Sequence, residues 1–237
     1  MTAVSALRGL LERARLPEGL QVALADPTAP QPPLKAVEEA AVLRAVAGRR
    51  AEFAAGRAAA RSAVAALGAP EAAIPMAEDR APVWPQGITG SLSHTGTACV
   101  AVAARMDMFA GLGVDLEDDL PMPEDSRDAA GSPEEAGALD SDPLRAARRL
   151  FSLKEAAYKA QYSLSRTLID FDALYLDPEA RTLRFTRDVP PFAKGTALAV
   201  SQWVWGGLIL SLCCLPASPP DVLMDEAALP SKRPFYR

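Results

Sequence analysis

With 237 residues, 49% of them hydrophobic and 23% charged, the chain can bury a real core as one large domain or two smaller ones. Its formal charge of −5 speaks against a general nucleic-acid binder, which carries a basic excess, but leaves room for a local basic groove. The three cysteines, Cys99, Cys213 and Cys214, are too few and too apolar in setting for a disulfide framework and fit a reducing cytosol.

Along the chain, the first 15 residues scatter charges among apolar positions and form no signal-peptide core. Residues 35–46 and 49–67 are predicted helical, the second run stopped by Gly68-Ala69-Pro70. Ala81-Pro82-Val83-Trp84-Pro85 is extended or turning, because a residue before proline avoids the helical region. Residues 97–105 and 108–117 read as strands paired around Met106-Asp107. Residues 118–142 are acidic and aperiodic, which predicts a mobile loop or insertion with room for a short helix. A helix follows over 143–162, then strands near 173–176 and 182–186. Residues 196–215 are apolar enough to raise a membrane span, but Ser201, Gln202 and the central Gly206-Gly207 favour two strands joined at Gly-Gly. The proline-rich tail 216–237 is expected to wrap over the surface. Each half combines helices with a few strands, which predicts two similar α+β lobes.

The residues richest in chemistry lie at the centre. Asp115 and Glu117 are two apart on a predicted strand and so share a face. Glu155 and Lys159 are four apart on a predicted helix and share one there, with Lys154 beside them and Leu150, Phe151 and Leu153 as the buried side. Each pair alone reads as an ordinary solvated strand end or surface ion pair. Together they supply three carboxylates and two ammonium groups, a set suited to a hard cation such as Mg2+ and a pyrophosphate. His94, the one histidine, sits in Gly90-Ser91-Leu92-Ser93-His94-Thr95-Gly96, either a polar turn or a phosphate-holding loop. Arg49, Arg57 and Arg61 lie on one predicted helix and Arg80 precedes the Pro-Val-Trp-Pro segment; they are a solvated face or phosphate ligands. A single histidine and scattered cysteines do not make the usual zinc site, and no G-x-S-x-G elbow supports a hydrolase triad.

Four blocks, Arg49-Arg50-Ala51-Glu52-Phe53-Ala54-Ala55-Gly56-Arg57, residues 84–94, Gly113-Val114-Asp115-Leu116-Glu117 and Phe151-Ser152-Leu153-Lys154-Glu155, occur in this order. In that order they resemble the 4′-phosphopantetheinyl transferases, closest to the enterobactin-synthase-associated, surfactin-type group. The likeness runs from about residue 44 to 186. It implies two pseudo-twofold-related α+β lobes, each with long helices on a small, mostly antiparallel sheet, divided here as 1–112 and 113–237. It further implies a monomer in the cytoplasm, with coenzyme A as substrate in the cleft and acyl or peptidyl carrier protein domains as partners. Nucleic acid and membrane are not among the implied partners. Carried over, Asp115, Glu117 and Glu155 would bind Mg2+ or Mn2+, and Glu155 would orient or deprotonate the carrier serine. Lys159, with Lys154 near it, would neutralise the pyrophosphate, while Arg49, Arg57, Arg80, Ser93 and His94 would hold the phosphates of coenzyme A. Two departures from the family pattern are Phe151, where Trp is common, and Ala156, where Ser is usual. Two other readings of the same residues are a module of this fold that binds coenzyme A or a nucleotide without transfer, and a metal-dependent phosphoesterase.

Overall fold

The computed structural model of the chain describes residues 2–217. In the first half, β1 (Gln21–Ala25), β2 (Ile88–His94) and β3 (Cys99–Arg105) make an antiparallel sheet in the order β1-β3-β2. The helix α3 (Ala47–Ala66) lies on it through Ala59, Ala60, Ala63 and Val64, which meet Ile88, Ala101 and Ala103. Alanine on the buried face lets helix and sheet approach closely. The amphipathic α1 (Ala3–Arg13), capped by Thr2, buries Ala6, Leu7 and Leu10 in a second core. That core also takes Val100 and Val102 from β3, and joins the two halves.

In the second half, β4 (Phe109–Asp118), β5 (Leu174–Asp177), β6 (Thr182–Phe185), β7 (Ala197–Trp205) and β8 (Leu208–Pro216) form an antiparallel sheet in the order β4-β8-β7-β6-β5. The long helix α5 (Pro143–Ser165) packs across β4. Asp142 caps it by accepting from the Leu144 and Arg145 amides, Pro143 fits its first turn, and Arg166 in the left-handed region ends it. On β4 the side chains alternate: Leu112, Val114 and Leu116 enter the core shared with α1, while Gly111, Gly113, Asp115 and Glu117 occupy the other face. Gly113 sets the spacing there, since a Cβ at this position would come 1.7 Å from the Ala156 carbonyl oxygen of α5. Strand and helix backbones therefore touch two residues before Asp115.

The architecture is α+β with antiparallel sheets, and the Gly-Gly hairpin is present, Gly206 and Gly207 both having positive φ. Among the described residues no helix is long and apolar enough to cross a membrane. Four expectations need correction or relocation. Residues 90–96 are not a turn or loop as far as His94, because Ser91, Ser93 and His94 lie on strand β2, paired along its length with β3. The strands flanking Met106-Asp107 do not pair with each other. Both edges of β3 are taken by β1 and β2, so β4 crosses to the other sheet and pairs with β8. Residues 35–46 are not one helix but the short α2 (Ala36–Glu39) and a 3-10 turn, Ala40–Val42. There the Glu38 carboxylate turns inward to accept from Ile74 N, Lys35 N and Arg61, which binds the segment to its surroundings rather than to a continuing helix. The acidic stretch 118–142 is ordered into a 3-10 helix, Glu124–Ala129, and α4 (Pro133–Gly137). Nearly all of the proline-rich tail lies outside the described residues.

Candidate functional site

The tight seat of α5 on β4 brings Asp115 to Lys159. The lysine Nζ donates to Asp115 Oδ1 at 2.6 Å and to the Val114 carbonyl at 3.2 Å, and stands 3.4 Å from Ser93 Oγ. From β2, Ser93 Oγ donates to the same Asp115 oxygen at 3.0 Å, and Ser91 Oγ accepts from the Val114 amide at 3.0 Å. These bonds sew the two sheets together at the site. Asp115 is 3% exposed, and its Oδ2 is buried without a hydrogen-bond partner among the described residues. A buried carboxylate oxygen left unpaired is costly unless something cationic meets it.

Glu155 stands one turn from Lys159, at 4.0 Å. Burial pushes its carboxyl above the usual range; Lys159 pulls it back, and the negative charges of Asp115 and Glu117 push it up further. Burial and then Asp115 raise Glu117 likewise, against the opposing Arg148, whose Nη1 donates to Glu117 Oε2 at 2.9 Å. The three acids thus lie close enough to feel one another's charge. In this conformation Lys159 and Arg148 hold two of them, and among the described residues no three acidic, histidine or cysteine side chains are grouped tightly enough to hold an ion. The unpartnered Asp115 oxygen and the all-oxygen donor set fit a hard divalent cation, provided Glu117 and Glu155 rotate towards it.

A basic cluster flanks the acids. Arg49 Nη1 approaches His94 Nε2 at 2.9 Å, and Glu52 Oε2 lies 3.4 Å from Arg49 and 3.8 Å from His94 Nδ1. Burial holds the His94 ring below its ordinary pKa, Glu52 opposing and Arg49 and Lys159 reinforcing the shift, which favours the neutral imidazole. Arg57 is 3% exposed, stacks on Phe53 at 4.2 Å and leaves its Nε without a partner among the described residues. Burial pulls its guanidinium down to about 10. Arg61 is instead spent on Glu38 at 2.5 Å.

Arg80 is exposed at the tip of a turn, with φ 68°. Lys154 does not join the acids. It is 1% exposed, ion-paired to Glu135 of α4 at 2.9 Å and donating to the Phe171 carbonyl. Consecutive helix residues point about 100° apart, so the rotation that sends Glu155 towards Asp115 sends Lys154 into the protein. Burial alone would raise the Glu135 carboxyl, but bonds from Lys154 and the Leu176 and Ser132 amides hold it below its usual range. Sequence reasoning missed Arg148, Glu52 and Glu135. Arg148 had a signal, since it lies seven residues before Glu155 and so on the same helical face.

Two family models cover the chain: the 4′-phosphopantetheinyl transferase N-terminal domain over residues 37–104, and the 4′-phosphopantetheinyl transferase superfamily over 111–213. The chain is 36% identical over 203 residues to the 4′-phosphopantetheinyl transferase Svp of Streptomyces mobaraensis, covering 81% of this chain and 82% of that one. It is 37% identical over 142 residues to the transferase Npt of Nocardia iowensis, covering 59% of this chain and 64% of that protein. It is 31% identical over 192 residues to enterobactin synthase component D of Salmonella typhimurium, covering 76% of each. The chain belongs to the 4′-phosphopantetheinyl transferase family.

Proposed function

We propose that this chain transfers the 4′-phosphopantetheine group from coenzyme A to a serine of an apo acyl or peptidyl carrier protein, releasing adenosine 3′,5′-bisphosphate. The observation that carries this is Asp115. It is buried between Lys159 and Ser93 with one oxygen unanswered, at the seam where the acidic cluster meets the Arg49–His94 cluster. Such a seam suits a substrate that presents phosphates to one side and a pyrophosphate with its counter-cation to the other.

In this reading Arg49, Arg57, Arg80, Ser93 and His94 hold the phosphates of coenzyme A, the 3′-phosphate especially. Asp115, Glu117 and Glu155 hold Mg2+ or Mn2+, which supplies charge neutralisation at the pyrophosphate when bound. Lys159 directs its ammonium to the same oxygens. Glu155, whose affinity for a proton burial has raised, accepts the hydroxyl proton of the carrier serine. The serine Oγ then bonds to the phosphorus bearing the pantetheine arm as the bond from that phosphorus to the departing adenosine bisphosphate oxygen breaks. Peptide-synthase, polyketide-synthase and siderophore-pathway carriers are the expected acceptors, and an enterobactin synthase component among the relatives supports the last. The protein is proposed to act as a cytoplasmic monomer.

Mass spectrometry of an apo carrier domain incubated with the protein, coenzyme A and magnesium tests the reaction. The carrier is expected to gain one phosphopantetheine arm. Coenzyme A bound but unchanged would indicate a binding module, and its cleavage without a carrier a phosphoesterase.

A further inference from the structure

Residues 76–82 form a tight clasp closed by a bridge between Met76 and Pro82. The Ala77 amide donates to the Ala81 carbonyl, the Arg80 amide donates to the Ala77 carbonyl, and Asp79 Oδ1 accepts from the Ala81 amide at 3.0 Å. Arg80 sits at its tip in the left-handed region, a conformation that a residue other than glycine holds only when its surroundings fix it. What fixes it from outside is α5. Tyr162 Oη donates to Asp79 Oδ2 at 2.8 Å, across 83 residues of sequence, and Arg166 Nη1 lies 4.0 Å from the same oxygen. Tyr162 in turn stacks on Tyr158, with centroids 5.9 Å apart and planes 24° apart. Burial raises the Tyr158 hydroxyl above its ordinary range, and the negative charges of Glu155 and Asp79 raise it further, so both carboxylates are within electrostatic reach of Tyr158. Tyr162 is seven residues, or about 10 Å, along the same face of α5 from Glu155.

We propose that Asp79 and Tyr162 form a latch across the mouth of the site, and that Tyr162 is a positioning residue that presents Arg80 to the phosphates of coenzyme A. The inference rests on the reading of Arg80 as a coenzyme A ligand, and goes beyond it by naming what aims that side chain. Arg80 carries the charge, the clasp carries Arg80, and the Tyr162 hydroxyl docks the clasp on the helix that bears Glu155 and Lys159. The latch bond is exposed to solvent, so its loss should alter placement far more than stability.

Tyr162→Phe removes the hydroxyl alone. The full chain would be compared with Tyr162→Phe, Arg80→Ala and the double variant, by calorimetric titration with coenzyme A and by steady-state transfer to an apo carrier domain. Tyr162→Phe is expected to weaken coenzyme A binding and raise its KM about fivefold, the scale of one ordinary hydrogen bond in a solvent-exposed setting. Its kcat and melting temperature should hold. In the Arg80→Ala background the same change should add nothing. An unchanged KM in Tyr162→Phe, or effects of the two changes that multiply, would overturn the latch. A normal KM in Arg80→Ala would overturn the Arg80 contact and the latch with it, whereas absence of transfer by the unmodified chain would instead refute the proposed reaction.

Discussion

The two halves use one plan and leave opposite charges unanswered. Each lays a long helix on an antiparallel sheet, α3 on the first and α5 on the second. On α5 the cations shown to pair meet acids of their own half: Arg145 and Arg149 hold Asp119, Arg148 holds Glu117, Lys154 holds Glu135 and Lys159 holds Asp115. Among the described residues, the buried atoms left without a partner in this half are Thr182 Oγ1, the Nε of Arg149, whose other nitrogens already hold Asp119 and Asp140, and, at the acidic cluster, an acceptor, Asp115 Oδ2. On α3 what remains is a donor, the buried Nε of Arg57, in a guanidinium that burial has already weakened as a base. One side lacks a cation and the other an anion. A nucleotide pyrophosphate carrying a divalent ion would supply both, which is why we propose the seam between the halves, rather than either half alone, as the site.

The comparison breaks most completely at Gly113. In Gly113→Ala the added methyl would overlap the Ala156 carbonyl at 1.7 Å, and neither backbone can yield without moving helix from strand. We expect a loss of about 3 kcal/mol or more, or no soluble protein, measured by urea unfolding. Unaltered stability would mean that α5 does not rest on β4 at this point. Next comes Lys154→Ala, which leaves the Glu135 carboxylate buried without its counter-ion; a loss of about 3–5 kcal/mol is expected. The double change Lys154→Met with Glu135→Leu should recover most of it. If Lys154→Ala instead stayed fully stable and failed only in transfer, the lysine would belong with the acids after all.

Asp115→Asn and Glu155→Gln sharpen the contrast by acting on chemistry rather than on the fold. Both keep shape and should leave circular dichroism unchanged while lowering transfer about 10²–10³-fold. The paramagnetism of bound Mn2+ gives an independent readout, with Asp115→Asn expected to weaken ion binding whether or not a carrier is present. Full activity of Asp115→Asn in magnesium would remove this residue from the metal site.

Legibility in the sequence followed the range of the forces involved. Periodicity and capping are local, so α3, α5 and the Gly-Gly hairpin were readable, as was the shared face of Asp115 and Glu117. Partner choice between strands is not local. Nothing near Met106 reveals that β1, some 80 residues earlier, already covers the edge that β4 would need. Lys154 departs from the exposed position expected of it for a related reason. An exposed lysine is the ordinary expectation, and only the distant Glu135, placed by the folding of an aperiodic acidic stretch, makes its burial tolerable. In the same stretch Ser132-Pro133-Glu134-Glu135 is a local signal, a capping box that starts α4, but the rest of its order comes from Arg145, Arg149 and Lys154 on α5, which the stretch itself does not announce.

The mildest break in the comparison between the halves lies in the basic one, at His94. Its pKa is depressed by burial, so free protein at neutral pH carries a neutral ring. For stability the sign follows directly. The unfolded chain takes up this proton first, so the group's contribution is whole above its ordinary pKa near 6.5 and is lost as pH falls through the depressed folded value. For binding the sign reverses. A phosphate beside the ring favours the imidazolium, so coenzyme A should bind more tightly as pH falls from about 7.5 to 6, with proton uptake visible in buffers of different ionisation enthalpy. The phosphate itself titrates near pH 6, so the gain must be taken as the difference from His94→Gln, where proton uptake assigned to the ring should vanish. Dephospho-coenzyme A should show little of this difference, and an overall loss of about tenfold in His94→Gln should fall on coenzyme A alone. Equal pH slopes for the two ligands would place the 3′-phosphate elsewhere and leave His94 as a buried neighbour of Arg49.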